Sequence, residues 1–203
     1  MRALVTGNLG MLGTEVSELL GADSSVELTA IDRDELDITD AAAVSECITT
    51  LRPDLVVNCA AYTAVDNCET DADAAQLLNA TAVRNLAEAI ARTDGHLVHV
   101  STDYVFDGAA GPYDEAALVR PINVYGRSKL AAEALVSALP RSLTIRITNV
   151  FDIGFEDRNF VHRCVTYLRD RKPLVVPSDQ WATPAYATAL ADQTVTLLER
   201  GLI

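Results

Sequence analysis

The 203-residue chain is 49% hydrophobic, enough for one full domain with a sizeable core, or one domain with a small appendage. A net charge of −13 and an isoelectric point near 4.5 set it against phosphate backbones, so nucleic acid is not an expected partner. No apolar run reaches bilayer-spanning length, so no membrane partner is expected, and "MRALVTGNLG" meets glycines after one basic residue, unlike a signal peptide. In chain order, "RALVTG" (2–7) reads as a strand ending in glycine, and "MLGTEVSELLG" (11–21) has helical spacing through Leu12, Val16, Leu19 and Leu20. "LTAID" (28–32) is the next strand, "DAAAVSECITTLR" (40–52) a helix stopped by Pro53, and "DLVVNCA" (54–60) a strand whose unbroken apolar run indicates burial on both faces. A long helix is expected over 71–92, then the strand "HLVHVS" (96–101), a Gly/Pro-containing loop, a helix over 122–137 and the strand "SLTIRIT" (142–148). The remainder reads as a helix (158–170), a sixth strand "PLVV" (173–176) and a last helix (185–200), after loops that lengthen around "FDIGFEDR".

Five β–α alternations with near-continuous apolar strands predict an α/β fold: a Rossmann-like, doubly wound parallel sheet with helices on both faces. Residues 1–150 form the expected dinucleotide-binding domain, and 151–203 part of a substrate-binding region. Cys47, Cys59, Cys68 and Cys164 form no CxxC pair, which suits free thiols in a reducing cytoplasm. His96, His99 and His162 are scattered and read as structural; no metal site is expected.

"VTGNLGMLG" places Gly7, Gly10 and Gly13 between the first strand and first helix. In a dinucleotide-binding turn the first glycine permits the bend, the second admits a pyrophosphate, and the third lets helix pack on strand. The helix N-terminus adds free N–H groups and the positive end of its dipole. Asp32 ends the second strand 19 residues after Gly13, where a carboxylate can hold adenosine ribose hydroxyls. Asp32 favours NAD, whereas Arg33 beside it could hold the 2′-phosphate of NADP, so NADH and NADPH both stay open.

In "INVYGRSKLAAE" (122–133), Tyr125 and Lys129 are spaced to share a helix face, and Lys129 is one of only two lysines against fourteen arginines. A phenol is a poor acid at neutral pH, and an ammonium one turn away would lower its pKa. Arginine, with a fixed planar fork, cannot act as a compact donor there.

These motifs, with "STDYVFDG", "RPDLVVNCAAYTAVDNCETDADAAQLLNATAVRNLAEAI" and "PSDQWATP", resemble the dTDP-4-dehydrorhamnose reductase family of the extended short-chain dehydrogenase/reductases, collinearly over essentially the whole chain. The resemblance implies an NAD(P)H-dependent oxidoreductase that reduces the C4 keto group of a dTDP-4-dehydro-6-deoxy sugar, most simply dTDP-4-dehydro-L-rhamnose to dTDP-L-rhamnose. It makes Tyr125 the proton donor, Lys129 the group that lowers its pKa and holds the nicotinamide ribose, and Thr102 the hydroxyl on the keto oxygen, with Asp103 contacting substrate. It places Gly10, Met11 and Leu12 at the pyrophosphate, Asp32 at the ribose, and Asp37 and Ile38 at the adenine. Ala61, Tyr62 and Thr63 line the cofactor cleft, and Asn79 either supports a proton relay to Lys129 or satisfies backbone groups. Two departures stand out: Asn149 occupies a position where the family usually has a tryptophan against the sugar, and the chain stops where family members continue, as in a C-terminal truncation. Alternatives are another deoxysugar ketoreductase, a nucleotide-sugar epimerase or dehydratase, and, from a different class, a non-catalytic regulatory subunit on the same fold. A homodimer is left open.

Overall fold

The computed structural model of the protein describes residues 1–153, 155 and 159–199. Five parallel strands form its sheet: β1 (Arg2–Thr6), β2 (Glu27–Ile31), β3 (Leu55–Asn58), β4 (His96–Thr102) and β5 (Ser142–Ile147), in spatial order β2-β1-β3-β4-β5. The helices are α1 (Met11–Ala22), α2 (Ala41–Leu51), α3 (Val65–Thr70), α4 (Ala72–Gln76), α5 (Ala82–Ile90), α6 (Val124–Val136), α7 (Phe160–Arg169) and α8 (Ala187–Glu199). Two short strands, β6 (Val150–Phe151) and β7 (Ala185–Tyr186), pair parallel in a separate ladder.

Alternation along the strands separates two apolar layers. Leu4, Val56 and Leu97 meet Val44 and Ile48 of α2, Val83 and Leu86 of α5, and Ala132 and Val136 of α6. Ala3, Val5, Val57 and Val98 face the other way, against Leu12, Val16 and Leu20 of α1 and Ala191 of α8. The sheet is therefore covered on both faces, as continuous apolar strands require. Although α8 lies beyond residue 150, it packs on α1 and completes this second layer.

The chain leaves β1 toward β2 on one side and returns across β1 to β3 on the other. This reversal opens a crevice at the carboxyl ends of β1 and β3, where doubly wound sheets bind ligands. Two glycines make the turn after β1 feasible. Gly7 adopts φ 73°, and a Cβ there would lie 2.6 Å from the backbone nitrogen of Ala60 after β3. A Cβ on Gly13 would lie 2.1 Å from the Gly7 carbonyl oxygen, so α1 can approach the turn only without a side chain. Gly10 has ordinary extended φ and ψ, and its Cβ would meet nothing closer than 3.3 Å.

The expected strand at 173–176 does not form. Pro173 and Pro177 bracket it, removing backbone donors, and Val175 is 91% exposed with no strand beside it. The expected long helix over 71–92 is α4 and α5 joined by a π-helical turn, Leu77–Thr81, with Asp71 accepting from the Ala74 N–H at its start. The expected helices over 158–170 and 185–200 correspond to α7 and α8; Arg158 and Arg200 lie outside the described residues, as do 154, 156 and 157 of the "FDIGFEDR" segment.

Substituting Gly13→Ala is expected to destabilise the fold by about 1–3 kcal/mol through overpacking against backbone that cannot yield. Urea unfolding followed by circular dichroism measures this, and an unchanged midpoint would contradict the close packing of α1 on the turn.

Candidate active site

The turn after β1 is fastened to β2. The Ile31 carbonyl accepts from the N–H groups of Gly7 (3.0 Å) and Asn8 (3.3 Å), and Asp32 Oδ2 accepts from the Leu9 N–H (3.1 Å). Helix α1 begins at Gly10 with no side chain capping it and no acidic residue in its first turn. Its first N–H groups, from Met11, Leu12 and Gly13, thus face the crevice as anion donors. A Cβ on Gly10 would press on the Gly7 carbonyl oxygen of the turn itself at 3.3 Å and would meet no neighbouring element. These features fit a dinucleotide pyrophosphate. Asp32 sits at the rim with exposed Arg33 and Asp37 beside it. The Thr39 hydroxyl, then the Thr39 N–H and last the Arg33 charge, hold the Asp37 carboxyl below its usual range. Ile38 points into the core, and its carbonyl, with that of Thr39, accepts from Asn85 Nδ2.

Across the crevice, Asn79 lies in the π-helical turn. Its Oδ1 accepts from the Tyr62 N–H (2.8 Å), while its Nδ2 donates to the Tyr62 carbonyl (3.1 Å) and to Ser128 Oγ (3.0 Å). The widened turn inserts this amide between the 61–63 loop and α6. Asn79 thus fixes the cleft wall formed by Ala61, Tyr62 and Thr63, and its side chain makes no hydrogen bond to Lys129.

Asn123 starts α6 by accepting from the Gly126 N–H (2.7 Å), which aims Tyr125 back toward the end of β4. A Cβ on Gly126 would lie 2.2 Å from the Tyr104 carbonyl oxygen, so the helix seats directly on the turn that follows Thr102. Tyr125 is buried with Cys68 and Ala75 and meets Tyr104 edge-on at 5.7 Å between ring centres. Burial pushes its phenol up to about 12, the neighbouring Thr102 hydroxyl opposing the rise and the Asp103 charge adding to it. Thr102 Oγ1 also donates to Asp103 Oδ1 (3.2 Å) and accepts from the Tyr104 N–H (3.2 Å). Thr102, Asp103 and Tyr125 therefore form one cluster.

Lys129 shares the Tyr125 face of α6 but turns inward. Its Nζ donates to the Val100 carbonyl at 2.6 Å and lies 3.3 Å from His99 Nε2. With 2% of its surface exposed, burial brings its pKa down to about 8, although Cys59 and Glu133 oppose this. In the unfolded chain the lysine keeps its proton to about 10.4. Its burial thus costs stability below the folded value, a cost relieved as pH rises between the two. The Lys129 Nζ is directed at β4, and burial is the largest influence on the Tyr125 phenol.

Beneath the cluster, Glu133 accepts a two-pronged bond from Arg146 (3.0 and 2.6 Å) and another from Ser101 Oγ (2.6 Å), tying α6 to β4 and β5. The Arg146 guanidinium lies 5.1 Å from the centre of the Phe106 ring. Asn149 follows β5 on an exposed bend with φ 39°. Asparagine tolerates this left-handed conformation better than most residues, a backbone reason for its presence that the sequence did not display. Sequence reasoning also missed the Glu133–Arg146 pair, Asn58 and the role of His99, whose positions follow from strand register and helix facing rather than from motifs.

Asn79→Ala removes three hydrogen bonds and leaves the Tyr62 N–H unpaired, with an expected cost of about 2–4 kcal/mol. Chemical denaturation tests this, and amide exchange should show the Tyr62 N–H losing protection while β1 stays protected.

The family model described as the RmlD substrate binding domain matches residues 1–202. The chain is 37% identical to a dTDP-4-dehydrorhamnose reductase of Aggregatibacter actinomycetemcomitans, covering 100% of this chain and 69% of that protein. It is 42% identical to a probable dTDP-4,6-dihydroxy-2-methyloxan-3-one 4-ketoreductase of Streptomyces antibioticus, covering 97% and 67% respectively. The crystal structure of a dTDP-4-dehydrorhamnose reductase from Bacillus anthracis in complex with NADP superposes with a TM-score of 0.90 at 34% identity, over 98% of this chain and 70% of that one. By sequence and by fold, the chain belongs to the RmlD substrate binding domain family.

Proposed function

We propose that the chain is the cofactor-binding and proton-donating part of an NAD(P)H-dependent reductase acting on the C4 keto group of a dTDP-4-dehydro-6-deoxy sugar, most simply dTDP-4-dehydro-L-rhamnose. The observation that carries this reading is the convergence, at one edge of the sheet, of the uncapped α1 N-terminus with the Thr102–Tyr125 cluster. The α1 N–H groups would hold the pyrophosphate, Asp32 the adenosine ribose, and Lys129 the nicotinamide ribose. A bound nicotinamide cofactor supplies the hydride. Tyr125 donates its phenolic proton to the sugar O4, and a high pKa keeps that proton in place until an alkoxide develops. The Thr102 hydroxyl, which donates to Asp103 in the free protein, would turn to donate to the same oxygen and stabilise the developing charge. Asp103, adjacent and partly exposed, would bond a neighbouring sugar hydroxyl. The chain between β6 and β7 would supply the sugar side of the cleft.

A second reading, a ketoreductase for a different dTDP sugar, draws support from the 42% identity to the Streptomyces antibioticus protein and from the polar Asn149 beside β5. Incubating the chain with NADPH and either dTDP-4-dehydro-L-rhamnose or another dTDP-4-keto sugar, with product mass as readout, separates the two.

Tyr125→Phe is expected to retain NADPH binding by thermal shift while losing roughly 100-fold or more in reduction rate; full turnover in that variant would remove Tyr125 from the proton-donor role. With Asp32 and Arg33 both at the rim, NADH and NADPH should both serve. A preference of roughly a thousand-fold for NADPH would count against Asp32 as ribose ligand.

A further inference from the structure

Thr6, Asn58 and His99 are register partners across β1, β3 and β4, so one row of the sheet carries three polar residues on the face toward α6. All three are buried among apolar residues, where polar groups persist only when bonded. Asn58 Oδ1 accepts from Thr6 Oγ1 (2.8 Å) and from the Ala60 N–H (3.2 Å). The Ala60 N–H is backbone and can only donate, which fixes the amide orientation. Asn58 Nδ2 therefore faces His99 Nδ1 (3.1 Å) as a donor, making Nδ1 the acceptor. A neutral imidazole accepting at Nδ1 carries its proton at Nε2, and Nε2 points at Lys129 Nζ, 3.3 Å away. An ammonium there would set donor against donor; a neutral amine offers its lone pair to Nε2–H while donating to the Val100 carbonyl.

We infer that His99 is a positioning residue: held by Asn58 in the Nε2–H tautomer, it presents a donor to Lys129 and favours the neutral amine in the cofactor-free protein. Thr6 ends the row inside the sheet, so the array fixes a tautomer and conducts no protons. The other titratable groups around Lys129 are Cys59 after β3, and Tyr125 and Glu133 one turn to either side on α6. Burial pushes the Cys59 thiol up to about 12, so it is uncharged where Lys129 titrates, and Glu133, which favours the ammonium, is already committed to Arg146 and Ser101. The depressed titration of Lys129 and the strongly disfavoured charging of His99 agree with this arrangement. One consequence rests on the reductase reading: a ribose hydroxyl that draws Nζ away from His99 would let Lys129 take up a proton as the cofactor binds.

The chain has only two lysines, so 13C labelling at the lysine Cε gives two resonances, with exposed Lys172 as internal reference. In cofactor-free protein Lys129 should titrate near 8, well below the ordinary lysine range, and long-range 1H–15N spectra should show the His99 proton on Nε2. A His99 proton on Nδ1, or a Lys129 titration at or above that of Lys172, would overturn the inference without any variant. His99→Leu discriminates by sign: losing a facing donor should raise the Lys129 midpoint by on the order of one unit, whereas a merely structural histidine replaced by leucine would deepen desolvation and lower it. Calorimetric NADPH titrations in two buffers of different ionisation enthalpy, at pH 8 or above, should show proton uptake that shrinks in His99→Leu. If NADPH does not bind at all, the proposed function fails while the cofactor-free spectra still decide the tautomer.

Discussion

The site depends on burying one lysine against the edge of a strand. Lys129 reaches from α6 to the Val100 carbonyl, and that 2.6 Å bond fixes how far the helix can stand from β4. The same distance decides where Tyr125, one turn earlier, meets Thr102. Arginine could not occupy this position. Its five donors would face a single carbonyl and an imidazole, and it cannot shed its proton to relieve the mismatch. The scarcity of lysine elsewhere fits this division: surface positions need only a positive charge, while this one needs a compact group able to exist as an amine.

The rest of the interface serves that fixed distance. Glu133, bound to Arg146 and Ser101, clamps α6 to two strands one turn beyond Lys129. Gly126, pressed on the Tyr104 carbonyl, seats the near end. Asn79 then joins α6, through Ser128, to the loop that walls the cleft. Helix, cleft wall and strand end are therefore coupled by polar contacts inside an otherwise apolar layer. Such contacts contribute little net stability but are expensive to break singly, so they specify one geometry.

The fold was legible because its determinants are local and periodic. Continuous apolar strands, the glycine turn and helical spacings each announce themselves within a dozen residues, and Gly7, Gly13, Tyr125 and Lys129 sit where those patterns put them. What stayed hidden depends on register between distant segments. His99 reads as a structural histidine until β4 is laid beside β3, when it falls opposite Asn58. The π-helical turn that aims Asn79 has no signature in "LLNAT". In "PLVV", Leu174, Val175 and Val176 look like a strand, yet flanking prolines and the lack of a neighbour deny it a ladder. The four-residue spacing of Tyr125 and Lys129 gave a shared helix face, but not the direction a flexible side chain takes when a buried carbonyl competes for it.

That competition has a functional logic if the chain is a reductase. A charged lysine beside Tyr125 at all times would favour phenolate, which cannot donate a proton to a ketone. Turned toward β4, Lys129 leaves the phenol neutral and high in pKa, so the acid stays loaded. An arriving ribose would offer Nζ new oxygen partners in place of His99. The proton donor would then be sharpened only when the hydride source is in place. The row of Thr6, Asn58 and His99 makes such a change discrete: a fixed tautomer offers Lys129 one favourable protonation state in each position rather than a continuum between them.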